Sequence, residues 1–493
     1  MTGAGRVIVI GSGPSGAAAA RELVRRRVPV TMLESGAARP SGLLIRARGR
    51  NLFRRVPDAP SDPATYVASG HPETHWRRHL EPGGLSNQWT GAVPRFAPPD
   101  FTEGERLHER YRWPVTYEDL VPYYDDLEQV LSITASGTDV PALPAGRSRY
   151  RRHPPDDWRS FADVAARHGQ GWTTLPLADG PDWLVTRRGT AFNSFSSIVG
   201  GLLGSPNFEL RTNAHVLRLE WSGARRRIDA VVFHDRSTGR EERLVADAVV
   251  VACGPLQSTK LLFDSACPDF PEGLGNTEGL LGSFLHDHPK EWWSFSTDRP
   301  LARLAPSGYL TRRPYETSPP LIAASWSIGN ANTKEKILSL TPLKTTVFGV
   351  QVFGTMVPTE HNHIRPSSTA TDEFGLPQLD ITIDFDDATL KNVEESRTHL
   401  LDLMGEAGFA CRLDPIVPQL QPGIAVHYGG TVRMHESRAH GVLDAWNRPF
   451  DIPNLVVADA SCFTTNTEKN PTLTAMALSA RAARHLAGDL GTI

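Results

Sequence analysis

The chain is poor in the residues that would cross-link it or hold it in a membrane. Its four cysteines, Cys253, Cys267, Cys411 and Cys462, stand far apart in 493 residues. That spacing excludes a disulfide framework and a cysteine-built zinc site, and points to a reducing compartment. No apolar run approaches the about 18 residues of a membrane-spanning helix, so no membrane span is expected. Charge of one sign is also missing: 52 Lys and Arg face 55 Asp and Glu, a net of −3. Nucleic acid is therefore not an expected partner, and Arg25-Arg26-Arg27, Arg151-Arg152 and Arg225-Arg226-Arg227 read as solvated faces. The first apolar run begins at Val7, so no signal peptide is expected and the protein is expected in the cytoplasm. At about 150 residues per domain, two or three units are expected.

What the chain does contain begins with Val7 to Ile10, a β-branched run suited to a parallel strand buried on both faces. Gly11, Gly13 and Gly16 follow with G-x-G-x-x-G spacing, interleaved with Ser12, Pro14 and Ser15. These glycines suit a tight turn, close backbone approach to a pyrophosphate and close helix packing. A helix then starts at Pro14, where proline is tolerated and exposed amides suit a phosphate. A second strand ends at Glu34, beside Ser35, where a carboxylate can accept ribose hydroxyls. The fingerprint leaves FAD and NAD both open. The chain has no second such turn, which counts against a nicotinamide-dependent reductase.

Residues 35–75 read as loop. Gly83 and Gly84 allow close approach of backbone to a planar ligand, with Trp89 and Thr90 beside them. Residues 97–185 read as a loop-rich insertion, whose part 135–185 suits a lid, an oligomerisation loop or a poorly ordered segment. Alternation over 207–220, 228–233 and 244–252 predicts strands of one sheet, with a helix over 256–263. From 292 to about 387, strand-like pieces at 321–328, 345–356 and 379–385 predict a mostly antiparallel sheet, followed by a helix over 389–406. His286 and His288 lack partners at metal-ligand spacing, so hydrogen-bonded histidines are expected and no metal.

Gly83-Gly84, Asn87-Gln88-Trp89-Thr90 and Pro94-Arg95-Phe96 resemble the flavin-lining segment of the glucose-methanol-choline oxidoreductases, most closely that of pyranose 2-oxidase-like sugar oxidases. The resemblance implies FAD. The sugar oxidases carry a histidine for covalent attachment where this chain has Gln88, so noncovalent FAD is implied. It further implies a strand ending at Ala252 and Gly254 near the cofactor, Val216 against the adenine, and a hairpin over 357–377 leading into the substrate-domain sheet.

The C-terminal signature is the more specific one: His427-Tyr-Gly-Gly-Thr-Val-Arg-Met434, then Asp459-Ala460, then Asn470-Pro471-Thr472. By resemblance His427 is the catalytic histidine and Asn470 its partner on the substrate oxygen. Asp459 and Ala460 border the flavin, and the helix after Pro471 points its N-terminus at the flavin ring. Chemically, alcohol oxidation needs a group to take the hydroxyl proton while hydride leaves, and neutral histidine does this near neutral pH. His435, where the family has glycine, is expected at the surface.

The whole predicts an α/β protein: a Rossmann-like, doubly wound FAD-binding domain over 1–291 and 420–493, and a substrate domain over 292–419 with a mostly antiparallel sheet. The expected reaction oxidises a CH–OH group of a sugar, glycoside or aminocyclitol-like polyol, with dioxygen, a quinone or a redox protein as final acceptor. Two alternatives are a sterol or other apolar alcohol as donor, and a non-catalytic flavin-binding protein.

Overall fold

The computed structural model describes residues 6–37, 66–68, 76–179, 193–299, 301, 308–329, 346–415 and 419–491. Most of the loop expected over 35–75 lies outside them. Five strands form a parallel sheet in the order Leu455–Val457, Ala248–Val251, Val7–Ile10, Val30–Leu33, Phe208–Arg211. The four residues of Val7–Ile10 are all buried, as a strand with neighbours on both sides and cover on both faces requires. Helices Pro14–Arg25 and Thr472–Asp489 pack on each other beside this sheet. Both are rich in alanine at the buried positions, including Ala17 to Ala20, Ala477 and Ala483, so their backbones approach closely. The glycine turn leaves the central strand at its carboxyl end, where doubly wound sheets hold ligands.

The strands expected in one sheet over 207–252 divide between two. Asn213 adopts a left-handed φ of 59° and breaks the run. Before it, Phe208–Arg211 extends the parallel sheet; after it, Ala214–Ser222 pairs with Arg227–Asp235, which pairs with Arg240–Val245. Alternation alone does not carry that break, because one residue redirects the chain without disturbing the pattern on either side.

A second large sheet has six antiparallel strands in the order Cys411–Pro415, Lys290–Thr297, Thr346–Gly354, Ala324–Gly329, Gly308–Leu310, Trp172–Thr174. One face buries Phe295, Val350, Val352, Trp326 and Ile328 under helices Asp387–Glu406 and Arg159–Arg167. Asp386 caps the longer helix by accepting the Thr389 N–H at 2.8 Å. Two expectations are corrected here. The insertion is not irregular throughout: besides helix Tyr117–Val130, it supplies helix Arg159–Arg167 and the edge strand Trp172–Thr174 to this sheet. The cause is aromatic packing, with Trp158 4.9 Å from Trp172 and 5.4 Å from Phe409, ring to ring. Secondly, the expected hairpin exists, turning at Asp372 to Gly375, but Pro377–Thr382 pairs with His363–Thr371 and Tyr66–Ala68 in a separate three-stranded sheet. No helix among the described residues is long and apolar enough to cross a membrane.

Candidate active site

The glycine turn is made of absences. Gly11 has φ 98°, and a Cβ there would lie 2.5 Å from the Ala252 carbonyl oxygen. A Cβ on Gly16 would lie 2.1 Å from the Gly11 oxygen. Neither position admits a side chain without the backbone moving. Gly13 differs: a Cβ there would meet no protein atom within 4 Å. Its surroundings are open, as backbone that a ligand approaches should be. Pro14 is the first residue of the helix and Ser15 is buried, its carbonyl accepting Ser479 Oγ at 2.7 Å, which ties the turn to the last helix.

Glu34 organises the other side of this turn. Its Oε2 accepts the Ser12 N–H at 3.2 Å and the Ser12 hydroxyl at 2.5 Å, while Oε1 accepts the Gly36 N–H at 2.7 Å. A carboxylate has about four acceptor positions, so one on Oε1 is left for a hydroxyl. Gly83 donates its N–H to Ser12 Oγ at 2.9 Å, and a Cβ on Gly84 would lie 3.6 Å from Gly13 Cα. The turn at 83–88 therefore lies over the glycine turn. Asn87 holds it by donating to the Pro82 and Gly84 carbonyls at 3.2 and 2.8 Å. Gln88 Nε2 stands 3.3 Å from His79 Nδ1; Trp89 is half-buried against the core and Thr90 is exposed. Ser35 Oγ reaches His215 Nδ1 at 2.8 Å, and Val216 with His215 lines a cavity of about 160 Å³. Ala252 backs Gly11, and Gly254 opens helix Pro255–Asp264. Asp459 accepts from the Gly254 N–H at 3.1 Å, Ser258 Oγ at 2.5 Å and the Ser461 N–H at 2.9 Å, so its carboxylate ties two strand ends together. The buried Ala460 carbonyl accepts the Gly430 N–H at 3.3 Å.

A second cluster forms where the parallel half meets the six-stranded sheet. Asn470 Nδ2 donates to His427 Nε2 at 3.1 Å, and His427 Nδ1 lies 2.9 Å from His288 Nδ1. This donor and acceptor pattern assigns the proton of His427 to Nδ1 and leaves the lone pair on Nε2. Burial, with the charge of Lys290, pushes the pKa of His427 well below its ordinary value. His288, wholly buried, is lowered to about 4. Both rings are therefore neutral at neutral pH. Phe353 packs on both, 5.3 Å from His427 and 5.7 Å from His288.

The loop that presents His427 is held under constraint. Val426 has φ 59°, a left-handed conformation that a β-branched residue rarely adopts. Asp287 holds it by accepting the His427 N–H at 2.9 Å and the Gly423 N–H at 3.0 Å. Behind Asn470 lies a wholly buried ionic cluster. Lys469 Nζ donates to Asp100 at 2.8 Å and Glu468 at 2.9 Å, and Arg312 pairs with Glu103 at 2.9 Å. Pro471 and Thr472 start the last helix with no side-chain cap, leaving its first amides open to a ligand.

The structure thus gathers Gly11 to Gly16, Glu34, Gly83 and Gly84 into one cradle, and His427 with Asn470 into one pair. His288 is hydrogen-bonded, as the sequence leads us to expect, but sequence reading missed its place in the hydrogen-bond chain of the pair. It also missed Asp100, Glu103, Arg312, Glu468 and Lys469, whose only local sign is a charged pair directly before Asn470. His435 is corrected: it is buried, its Nε2 3.0 Å from the Glu109 carbonyl and its Nδ1 accepting the Ser437 N–H. The polar contacts available from that loop cover the ring.

A dinucleotide cradle joined to a half-buried histidine-asparagine pair defines a class of oxidoreductase, and comparison with known proteins bears this out. Family models described as GMC oxidoreductase match residues 162–290 and 358–479. The chain is 30% identical to 6'''-hydroxyparomomycin C oxidase of Streptomyces lividus over 98% of its own length and 91% of that protein. It is 22% identical to pyranose 2-oxidase of Lyophyllum shimeji over 83% and 71%. Among solved structures, pyridoxine 4-oxidase from Mesorbium loti superposes with a TM-score of 0.66 at 20% identity, covering 97% of this chain and 98% of that one. The chain belongs to the GMC oxidoreductase family, as the sequence motifs imply.

Proposed function

We propose that the protein binds FAD noncovalently and oxidises a CH–OH group of a sugar, glycoside or aminocyclitol-like polyol to a carbonyl. The cofactor reading rests on the open space at Gly13, the free acceptor position on Glu34 and the uncapped amides at Thr472. Gln88 in the attachment position carries no nucleophilic nitrogen, which supports noncovalent binding. Gly11 to Gly16 hold the pyrophosphate and Glu34 with Val216 the adenosine half. Gly83, Gly84, Ala252, Gly254, Asp459 and Ala460 border the rest. When bound, FAD supplies the acceptor for hydride.

The observation that carries the reaction is the chain from Asn470 through His427 to His288. His427 presents the Nε2 lone pair as base for the hydroxyl proton. Asn470 Nδ2 then turns from Nε2 to the substrate oxygen and orients it. His288 accepts the Nδ1 proton's hydrogen bond and so fixes the tautomer. The sheet face beside the pair carries the half-buried Ser327 and Gln351 next to Phe353 and Trp292, and we read these polar side chains as suiting a polyol better than a sterol. We assign the cofactor domain to 1–291 and 420–493 and the substrate domain to 292–419 together with Trp172–Thr174. Dioxygen, a quinone or a redox protein then reoxidises the enzyme, which we place in the cytoplasm on its four free cysteines.

The test is spectroscopic. Holoenzyme should absorb in the flavin region, release that absorbance on acid precipitation, and bleach anaerobically with a sugar, glycoside or aminocyclitol. Colour retained on the precipitated chain would refute noncovalent binding, and protein that cannot be reconstituted with FAD would refute the cofactor assignment.

A further inference from the structure

One charged side chain beside His427 forms no ion pair or hydrogen bond with a carboxylate among the described residues. Lys290 opens the strand Lys290–Thr297, and in register it faces Phe353, which in turn faces Ser325. The next row of the same sheet face runs from Trp292 to Gln351 to Ser327. Side chains alternate along a strand, so these six residues share the face opposite the buried aromatic core. Phe353 links this face to the catalytic pair, because its ring packs on His427. Lys290 Nζ lies 5.2 Å from the Phe353 ring and 5.5 Å from the Trp292 ring.

Cation–π contacts are the only direct contacts the structure gives this ammonium among the described residues, and Asp287 acts on it through its charge without pairing with it. The nearby carboxylates hold other groups as their direct partners. Asp287 accepts two backbone amides, Glu468 is held by Lys469, and Glu291 points to the opposite face, where Trp293 donates to it at 2.8 Å. Arg77 adds a second positive charge to the surroundings. Burial lowers the pKa of Lys290 only to about 8, so it is still mostly charged at neutral pH. Trp292 is 46% exposed, a large apolar surface beside the cation and suited to stacking on a sugar ring. A half-buried cation without a direct ion-pair partner is poorly solvated, and a ligand carboxylate would supply that contact.

Resting on the sugar reading above, we propose that Lys290 and Trp292 form a specificity subsite for a carboxylate-bearing donor, a uronic or aldonic acid or its glycoside. Lys290 pairs with the carboxylate and Trp292 stacks on the ring, while the hydroxyl to be oxidised faces His427. The same cation disfavours donors that carry an ammonium group at that position.

The test is calorimetric titration of anaerobic holoenzyme with methyl glucuronide, methyl glucoside and the methyl glycoside of glucosamine, in wild type and Lys290→Met. Wild type is expected to bind the glucuronide at least about tenfold more tightly than the glucoside, and the glucosamine derivative more weakly still. Lys290→Met should bring glucuronide and glucoside to equal affinity. Equal affinities in wild type, or a preference that survives Lys290→Met, would overturn the proposal. If none of the three binds or bleaches the flavin, the sugar reading fails. The anion subsite is then judged on malonate, followed by perturbation of the flavin spectrum: a response lost in Lys290→Met supports it, and no response or an unchanged one overturns it.

Discussion

The cradle at Gly11 to Gly16 and the pair at His427 and Asn470 are built on opposite principles. The cradle works through backbone and missing side chains: a Cβ at Gly11 or Gly16 collides with carbonyl oxygens, and one at Gly13 meets open space. The pair works through side chains brought from distant segments, with charge managed by burial. Position 288 meets 427 across 139 residues, and Lys469 meets Asp100 across 369. Binding a phosphate needs donors that any chain possesses, whereas abstracting a proton needs one ring held neutral in one tautomer.

Substitutions should therefore separate the two regions. The largest effect is expected for His427→Ala, which should lower the rate of flavin reduction by about 10²–10⁴-fold while FAD stays bound, since only the base is lost. Asn470→Ala should cost about 10²-fold in kcat with little change in cofactor retention, as expected when one oriented donor disappears. In the cradle, Gly11→Ala should give little or no holoenzyme and a lower Tm, because the left-handed φ and the 2.5 Å approach to Ala252 both oppose it. Gly13→Ala should leave the apoprotein's Tm unchanged and weaken only FAD binding; equal Tm losses in the two variants would break the comparison.

Lys469→Met probes what stands behind the pair. It leaves Asp100 buried without its cation and Glu468 with only Arg312 at 3.8 Å, and about 3–5 kcal/mol of destabilisation is expected by denaturant titration. A near-neutral result would mean that the cluster relaxes or protonates.

The smallest effect is that of pH. His288 has an ordinary pKa of 6.5 and a folded value of about 4. The unfolded chain thus binds more protons than the folded one between these values. Stability from this residue is complete above about 6.5 and falls as pH drops toward about 4. Asp287, raised to about 6, acts in the opposite sense, so the comparison is with His288→Asn, in which the acid-side slope should be shallower. With His427 lowered by burial, the acid limb of kcat/KM should also lie below the ordinary histidine range.

Legibility in the sequence follows the same division. The fingerprint and Glu34 could be read directly, because a strand, a glycine turn, a helix and an acid follow one another locally along the chain; the helix after Pro471 was read by resemblance. His427 and Asn470 were legible only by resemblance, since a histidine carries no mark of its surroundings. His288, Asp287 and Lys290 were not, because their roles depend on how the six-stranded sheet docks. The split at Asn213 and the strand Trp172–Thr174 escaped for a related reason: a single left-handed residue and a sparse aromatic cluster leave hydrophobic periodicity unchanged.

The central claim is that His427 Nε2 takes the hydroxyl proton. Stopped-flow reduction of wild type and His427→Ala holoenzyme, both first shown to hold FAD, tests it with whichever donor bleaches the wild type. The account predicts that the variant stays oxidised on the time scale of wild-type reduction and recovers partly with added imidazole. Reduction of His427→Ala at the wild-type rate would contradict it.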